Sequence, residues 1–400
     1  MDYKILIADD VEMNRRLITD ILKGKLENVS FLQAANGQEV FTILDKIDVD
    51  LIVLDLIMPI MDGFEVLSQL KMDDKYSDIP VIVSSAITEI SSIEMTLEMG
   101  AVDYFTKPLS PEDMEIILPL KAKNALMFYE QQKTIAALNR EIQEELKNAH
   151  DFQNIMLPKS RDFESVDLFI KYQPSLGIGG DCFDCFEQGG KLWFIIADVT
   201  GHGIAAGMAS SMVKIMFRCS VQHEDMTPVK VLESVNKSIF EIFDFGSNFN
   251  YLVFTAFVGC IEDGMFHYAN AGQPYPLILH QKSMSIEIIE EGGMPVGVFE
   301  EATYQNFSRQ LGEGDSIFLY TDGLFSSGQK TDFVNWKLVH EFAVEHKQEI
   351  AIEPNIFLDE LFWYFHAIHK SDNSSGSEHD FTDDVAMMLL KVKPNNSIKE

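Results

Sequence analysis

Apolar positions along this chain change their period twice. Over residues 1–118, short β-branched runs at 4–8, 29–34, 51–54, 81–84 and 104–106 alternate with stretches of helical spacing. Continuous apolar runs of this length read as strands covered on both faces, and their alternation with helices predicts an α/β domain with a five-stranded parallel sheet. The helices begin near Val11, Gly37, Asp62, Ser91 and Ser110, the last with a cap, a proline in its first turn and acidic residues after it. From there to Leu157 the chain is polar and helix-favouring. Pro119 interrupts it, removes a backbone donor and predicts a kink or break. Ile135, Leu138, Ile142 and Leu146 recur at spacings of three and four, a short coiled-coil-like stripe. Such a stripe reads either as a helix packed on a neighbouring domain or as a self-associating helix. Since a lone stripe would be left wet, the second is favoured, and with it a homodimer through the linker. Beyond Val166 the period shortens again. Strand-like runs with hairpin signals, as at 186–192, alternate with helical blocks at 205–223, 228–243 and 334–346, and a last strand covers 385–392. This pattern predicts an α+β layered β-sandwich flanked by helices. The polar stretch 371–378 reads as a loop. The expected domains are therefore 1–122, a helical linker over 123–158, a second domain over 159–393 and a tail of 394–400.

Composition changes little of this, but charge does. Apolar residues at 46% and charged residues at 24% are ordinary, whereas the net charge of -32 is not. Such a surface repels nucleic acid phosphates and anionic lipid, so neither is an expected partner. The N-terminus reaches Asp9 and Asp10 too soon for a signal peptide, and no apolar stretch is expected to reach membrane-spanning length. Of the four cysteines, Cys182 and Cys185 have C-x-x-C spacing. Zinc would want a second pair and a redox motif would open a helix, whereas this segment reads as strand. A cytoplasmic chain is expected.

Asp9 and Asp10 follow the first strand and Asp55 ends the third. In a parallel sheet these strand ends line one crevice, and carboxylates gathered there suit a hard cation such as Mg2+. Ser85 follows the fourth strand and Lys107 the fifth, at the same edge. The constellation resembles the receiver domain of bacterial response regulators, with its flavodoxin-like α/β fold, over residues 3–118. The resemblance implies that Asp55 is the phosphoacceptor and that Asp9, Asp10, Asp55 and the Ile57 carbonyl hold Mg2+. It further implies that Ser85 and Lys107 contact the phosphoryl group and that Tyr104 is the switch aromatic. A sensor histidine kinase or phosphotransfer protein would then be the donor.

In the second half, aspartates stand beside apolar runs in four motifs: Gly179-Gly180-Asp181, Asp198-Val199-Thr200-Gly201-His202-Gly203, Thr321-Asp322-Gly323 and Asp383-Asp384. Carboxylates delivered to one sheet edge from separate strands need divalent cations to neutralise them. With Asn270-Ala271-Gly272, this order resembles the PPM family of metal-dependent Ser/Thr protein phosphatases, nearest the stage II sporulation E type, over roughly residues 150–393. The helix ending Ala149-His150-Asp151-Phe152-Gln153-Asn154-Ile155-Met156-Leu157-Pro158 fits what commonly precedes such domains. The resemblance implies two or more Mn2+ or Mg2+ ions held by Asp198, the Val199 carbonyl, Asp322 and Asp383, with Asp181 on bound water. Asp383 is favoured over Asp384 as the direct ligand. Two such ions activate water and clamp phosphate for in-line displacement. Gln273 stands where the family often has His, and His202 reads as a loop residue. The implied substrate is a phosphorylated anti-sigma-factor antagonist in a partner-switching pathway. A receiver-controlled, non-catalytic adaptor is the alternative, but adaptors of that kind lose carboxylates that are all present here. A diguanylate cyclase, suggested by Gly179-Gly180-Asp181, would need Glu-Phe next where Cys182-Phe183 stands. Pro119 and the apolar stripe suggest that phosphorylation of Asp55 alters the pairing of two linker helices.

Overall fold

The computed structural model describes residues 3–85, 90–108, 110–175, 177–201, 203–223, 225–242, 252–325, 336–372 and 381–394. The chain divides into two compact units, Met1–Ile142 and Gln143–Glu400.

In the first unit, β1 (Tyr3–Ala8), α1 (Glu12–Lys23), β2 (Val29–Ala34), α2 (Gly37–Leu44), β3 (Leu51–Asp55), α3 (Gly63–Met72), β4 (Val81–Ser85), α4 (Ile90–Glu98) and β5 (Asp103–Thr106) alternate strictly. The sheet order is β2-β1-β3-β4-β5, and every neighbouring pair is parallel. Two-sided cover explains the unbroken apolar runs. Leu6, Ala8, Ile52 and Leu54 pack on one face of the sheet, and Ile5, Ile7, Leu51 and Val53 on the other. Strand order reverses beside β1, so the carboxyl ends of β1 and β3 flank a crevice.

Pro119 does not end its helix. A π-turn over Asp113–Ile117 carries the Leu118 amide back to the carbonyl of Asp113, and α5 (Leu118–Met156) then runs for 39 residues. A one-residue shift in the hydrogen-bond ladder is how a helix absorbs a missing donor. Along α5 the predicted stripe is largely exposed at Ile135, Leu138 and Ile142, and half-buried at Leu146.

The second unit holds two antiparallel sheets. Its elements are β6 (Arg161–Asp162), β7 (Val166–Gln173), β8 (Asp181–Gln188), β9 (Lys191–Val199), α6 (Ile204–Val221), α7 (Pro228–Ile242), β10 (Phe254–Glu262), β11 (Met265–Ala271), β12 (Leu277–His280), β13 (Ser285–Ile288), β14 (Phe307–Gln310) and β15 (Ser316–Tyr320). They end with α8 (Trp336–Glu345), α9 (Lys347–Ile352), α10 (Pro354–Asp372) and β16 (Val385–Val392). One sheet runs β14-β11-β10-β9-β8 and the other β13-β12-β15-β16-β7-β6. Between them lies an aromatic core that includes Phe183, Phe194, Phe257, Phe266 and Tyr268. Helices α6 and α7 cover the outer face of the first sheet, and α8–α10 that of the second. The predicted β-sandwich flanked by helices is what forms.

One sequence expectation needs amending. Helix α6, Ile204–Val221, is by length and composition apolar enough to span a bilayer. Here it is a core helix: Ala206, Val213 and Phe217 pack on β8 and β9, and its Lys214 and Arg218 pair with the buried Asp184. Cys182 and Cys185 are free and buried within β8, and burial pushes the Cys182 thiol up to about 12. Inert core thiols fit that setting, and a redox pair does not.

Candidate functional site

Strand parity gathers the acidic residues of the second unit. On β9, Leu192, Phe194 and Ile196 point into the core between the sheets, so Asp198 stands on the same face at the end of the strand. On β8, Phe183 and Cys185 point there, which puts Asp181 on that face as well. Asp181 and Asp198 are direct cross-strand partners. From the other sheet, Ile317 and Leu319 on β15 set Thr321 toward the core, and Ala386, Met388 and Leu390 on β16 do the same for Asp384. One end of the sandwich is therefore lined from both sheets.

Hydrogen bonds fix this edge. Thr321 Oγ1 donates to Asp181 Oδ2 at 2.8 Å and accepts from the Ala386 amide at 2.9 Å. The second oxygen of Asp181 is buried without a hydrogen-bond partner. Asp384 Oδ2 accepts the Gly180 amide at 2.6 Å, and its Oδ1 accepts the Ser175 amide at 2.7 Å and hydroxyl at 3.0 Å. Both oxygens of Asp384 are thus engaged with the loop that leads into Asp181. Gly323 lets the 3-10 turn Asp322–Leu324 pass the Asp384 carbonyl, which a Cβ there would meet at 1.9 Å.

Asp198, Asp322 and Asp383 line a cleft of about 350 Å3 together with Thr200, Thr255, Pro295 and Thr382. Burial, and then the neighbouring Asp322 and Asp383 charges, push the Asp198 carboxyl well above its ordinary range. Burial and Asp198 do the same to Asp181. Hard oxygen ligands crowded at a cost to their own ionisation, with one buried oxygen unsatisfied, are what divalent cations relieve. The donor set fits Mn2+ or Mg2+. Val199 lies buried after Asp198, and its carbonyl would be 2.8 Å from a Cβ on Gly180. His202 lies outside the described residues, as does most of the predicted loop 371–378.

The crevice of the first unit is equally acidic. The carboxylates of Asp9, Asp10 and Asp55 offer oxygens within 4.8 Å of one another. Lys107 Nζ reaches Asp9 at 2.5 Å and Asp55 at 2.8 Å. Burial nevertheless raises the Asp55 carboxyl, against the pull of Lys107. The Ile57 amide donates to Asp55 at 3.3 Å. Ser85 and Tyr104 share the wall of a water-sized cavity of about 10 Å3 with Leu56 and Thr106.

Comparison with known proteins matches both units. The family model for the response regulator receiver domain covers residues 5–118, and that for stage II sporulation protein E covers residues 188–393. The chain belongs to the stage II sporulation protein E family. Its N-terminal unit is a response regulator receiver domain, 36% identical over 126 residues to sporulation initiation phosphotransferase F of Bacillus subtilis. That match covers 98% of the relative and 30% of this chain. The phosphoserine phosphatase RsbU of Bacillus subtilis is 26% identical over 237 residues, 56% of this chain and 68% of that protein. The transcriptional regulator ycf27 of Porphyridium aerugineum is 39% identical over 114 residues, and the chain spans 45% of its length. In fold, the second unit is like the SiaA PP2C domain of Pseudomonas aeruginosa, with a TM-score of 0.51 and 17% identity over 64% of this chain and 99% of that one.

This stage II sporulation protein E family member is a serine/threonine phosphatase of a metal-dependent class, with the receiver on its N-terminal side. Sequence reading assigned no role to several residues that build the edge. Thr321 was visible only as part of a Thr-Asp-Gly motif. Gln153 sits in the last turns of α5, where its amide donates to the Gly179 carbonyl at 2.7 Å and accepts the Gly179 amide at 3.1 Å. Asn14 and Arg15 on α1 bind the Asp9 side chain and carbonyl. A polar residue inside an otherwise apolar helical face is the signal that finds Gln153.

Proposed function

We propose that the second unit hydrolyses phosphoserine or phosphothreonine in a protein, under control of phosphorylation at Asp55. The observation that supports this most is the convergence of Asp181, Asp198, Asp322 and Asp383 from both sheets on one edge. Asp198, the Val199 carbonyl, Asp322 and Asp383 hold two or more Mn2+ or Mg2+ ions in this reading, with Asp181 on the buried side. Bound there, such ions supply acidified water and neutralise phosphate oxygens. The chain's own residues do the rest. Thr321 fixes the orientation of Asp181, and Asp384 positions the loop before Asp181 rather than serving as a ligand. Thr255 and Pro295 shape the opposite wall of the cleft.

In the receiver, Asp55 accepts a phosphoryl group from a sensor histidine kinase or phosphotransfer protein, with Mg2+ at Asp9, Asp10, Asp55 and the Ile57 carbonyl. Lys107 and Ser85 receive the new charge, and Tyr104 responds to the shift of Ser85. The substrate is a phosphorylated anti-sigma-factor antagonist or a similar cytoplasmic phosphoprotein; the relative named phosphoserine phosphatase supports the phosphoserine part of that reading. A homodimer through the stripe on α5 completes the proposal, over domains of 1–122, 123–158 and 159–393. The test is phosphate release by the full chain in Mn2+, with and without acetyl phosphate, for wild type and Asp55→Asn. Turnover that responds to acetyl phosphate only in the wild type is expected. An adaptor would show no turnover in either, and equal rates in all arms would remove Asp55 from control.

A further inference from the structure

The loop between β13 and β14 carries features that the metal edge does not use. Met294, Val298 and Phe299 project from it with 42%, 41% and 59% of their surface exposed. Its backbone, in contrast, is clamped at three points. Gly293 lies against Asn270, whose carbonyl a Cβ there would meet at 2.2 Å, and Asn270 Nδ2 donates to the Glu291 carbonyl at 3.0 Å. Val296 exchanges two backbone hydrogen bonds with Phe254, at 2.9 and 3.1 Å. The buried Asn236 of α7 accepts the Gly297 amide at 2.9 Å and donates to the carbonyls of Phe299 and Glu300 at 2.9 and 3.0 Å. The Asn270-Ala271-Gly272 motif thereby acquires a structural task, holding one end of this loop.

We propose that this loop is the docking lip for the substrate protein, recognising apolar and basic residues beside the phosphorylated side chain. Two observations choose that occupant. Pro295, between the exposed Met294 and the anchored Val296, lines the same cleft as Asp198, Asp322 and Asp383, so the loop itself reaches the reaction site. Glu290, Glu300 and Glu301 stand exposed at its ends, which favours Lys or Arg on the partner. Apolar side chains held outward by a fixed backbone lose little freedom on binding, and that is how a rigid recognition surface gains affinity. The inference rests on the phosphatase reading above.

The experiment compares the wild-type chain with a Val298→Ser/Phe299→Ser double variant in Mn2+. Three probes are used: p-nitrophenyl phosphate, a phosphoserine peptide flanked by Leu and Lys, and a phosphoserine peptide flanked by Ser and Glu. The wild type is expected to prefer the Leu/Lys peptide. The variant is expected to lose about tenfold or more in kcat/KM on that peptide, mainly through KM, because an apolar contact is removed. Its rate on p-nitrophenyl phosphate should stay unchanged, which also shows that it folds. Equal kinetics of wild type and variant on both peptides, with p-nitrophenyl phosphate turned over normally, overturns the lip alone. No turnover of p-nitrophenyl phosphate by the wild type overturns the phosphatase reading on which the lip rests. A dimer in sedimentation velocity that the double variant dissociates, with peptide kinetics intact, makes the surface a self-contact and also overturns the proposal.

Discussion

Asp181 and Asp198 face each other across the antiparallel pair β8 and β9, two carboxylates in one register position at the end of a buried sheet. Like charges directly opposite destabilise a strand pair, and burial makes this case worse. Both carboxyls are held above their ordinary value of 3.8. A carboxyl with a raised native pKa favours the fold when protonated, and that contribution is lost as pH rises through the native value. The metal-free phosphatase unit should therefore lose stability as pH rises above the ordinary carboxylate range, and Mn2+ should restore it. Asp198→Asn removes one of the two charges. The variant should melt higher than wild type in chelator and gain less from Mn2+, as read by calorimetry across pH.

Thr321 links that pair to the opposite sheet, donating to Asp181 while accepting from Ala386. Thr321→Val keeps the shape but leaves a buried carboxylate oxygen and a buried amide unpaired. A loss of about 1–3 kcal/mol is expected in urea unfolding, with a fall in kcat rather than a rise in KM.

Gly323 has no room for a side chain, whereas Gly189 in the β8–β9 hairpin meets nothing within 4 Å. Gly323→Ala must push the Asp322 turn away from Asp384. It should cost about 3 kcal/mol and most of the activity. Gly189→Ala should cost only about 1 kcal/mol, from its φ of +62°, with turnover unchanged.

Lys107 bridges Asp9 and Asp55 in the receiver. Removing it by Lys107→Ala leaves two buried carboxylates facing each other uncompensated. Lower receiver stability without Mg2+ is expected, with partial recovery on adding it. Labelling from acetyl phosphate should fall in Lys107→Ala and vanish in Asp55→Asn, as followed by intact mass.

Much of this was legible in the sequence because both folds place aspartates where apolar strands stop. Asp55 after Leu51-Ile52-Val53-Leu54 and Asp198 after Leu192–Ala197 announce themselves in that way. What remained hidden depends on register between distant strands. Nothing local says that Asp181 pairs with Asp198, or that Asp384 spends both oxygens on the loop at Gly180 while Asp383 lines the cleft. No membrane-length stretch is expected from the sequence, yet α6 is long and apolar enough for one, because a helix pressed on a sheet buries a broad apolar face. Its Lys214 and Arg218 make sense only beside Asp184, thirty or more positions earlier in the chain. Pro119 predicts a kink or break, but a π-turn that lets the helix run on is an answer that sequence periodicity does not reveal.

Everything proposed for the second unit depends on its carboxylates forming a cation-dependent phosphatase centre. The most direct test is the initial rate of phosphate release from a phosphoserine peptide as Mn2+ is titrated, for wild type and Asp198→Asn. A saturable rise is expected in the wild type, with a rate at least about a hundredfold lower in the variant, which stays folded. Equal rates in the two proteins, or a wild-type rate indifferent to Mn2+ and Mg2+, would contradict it.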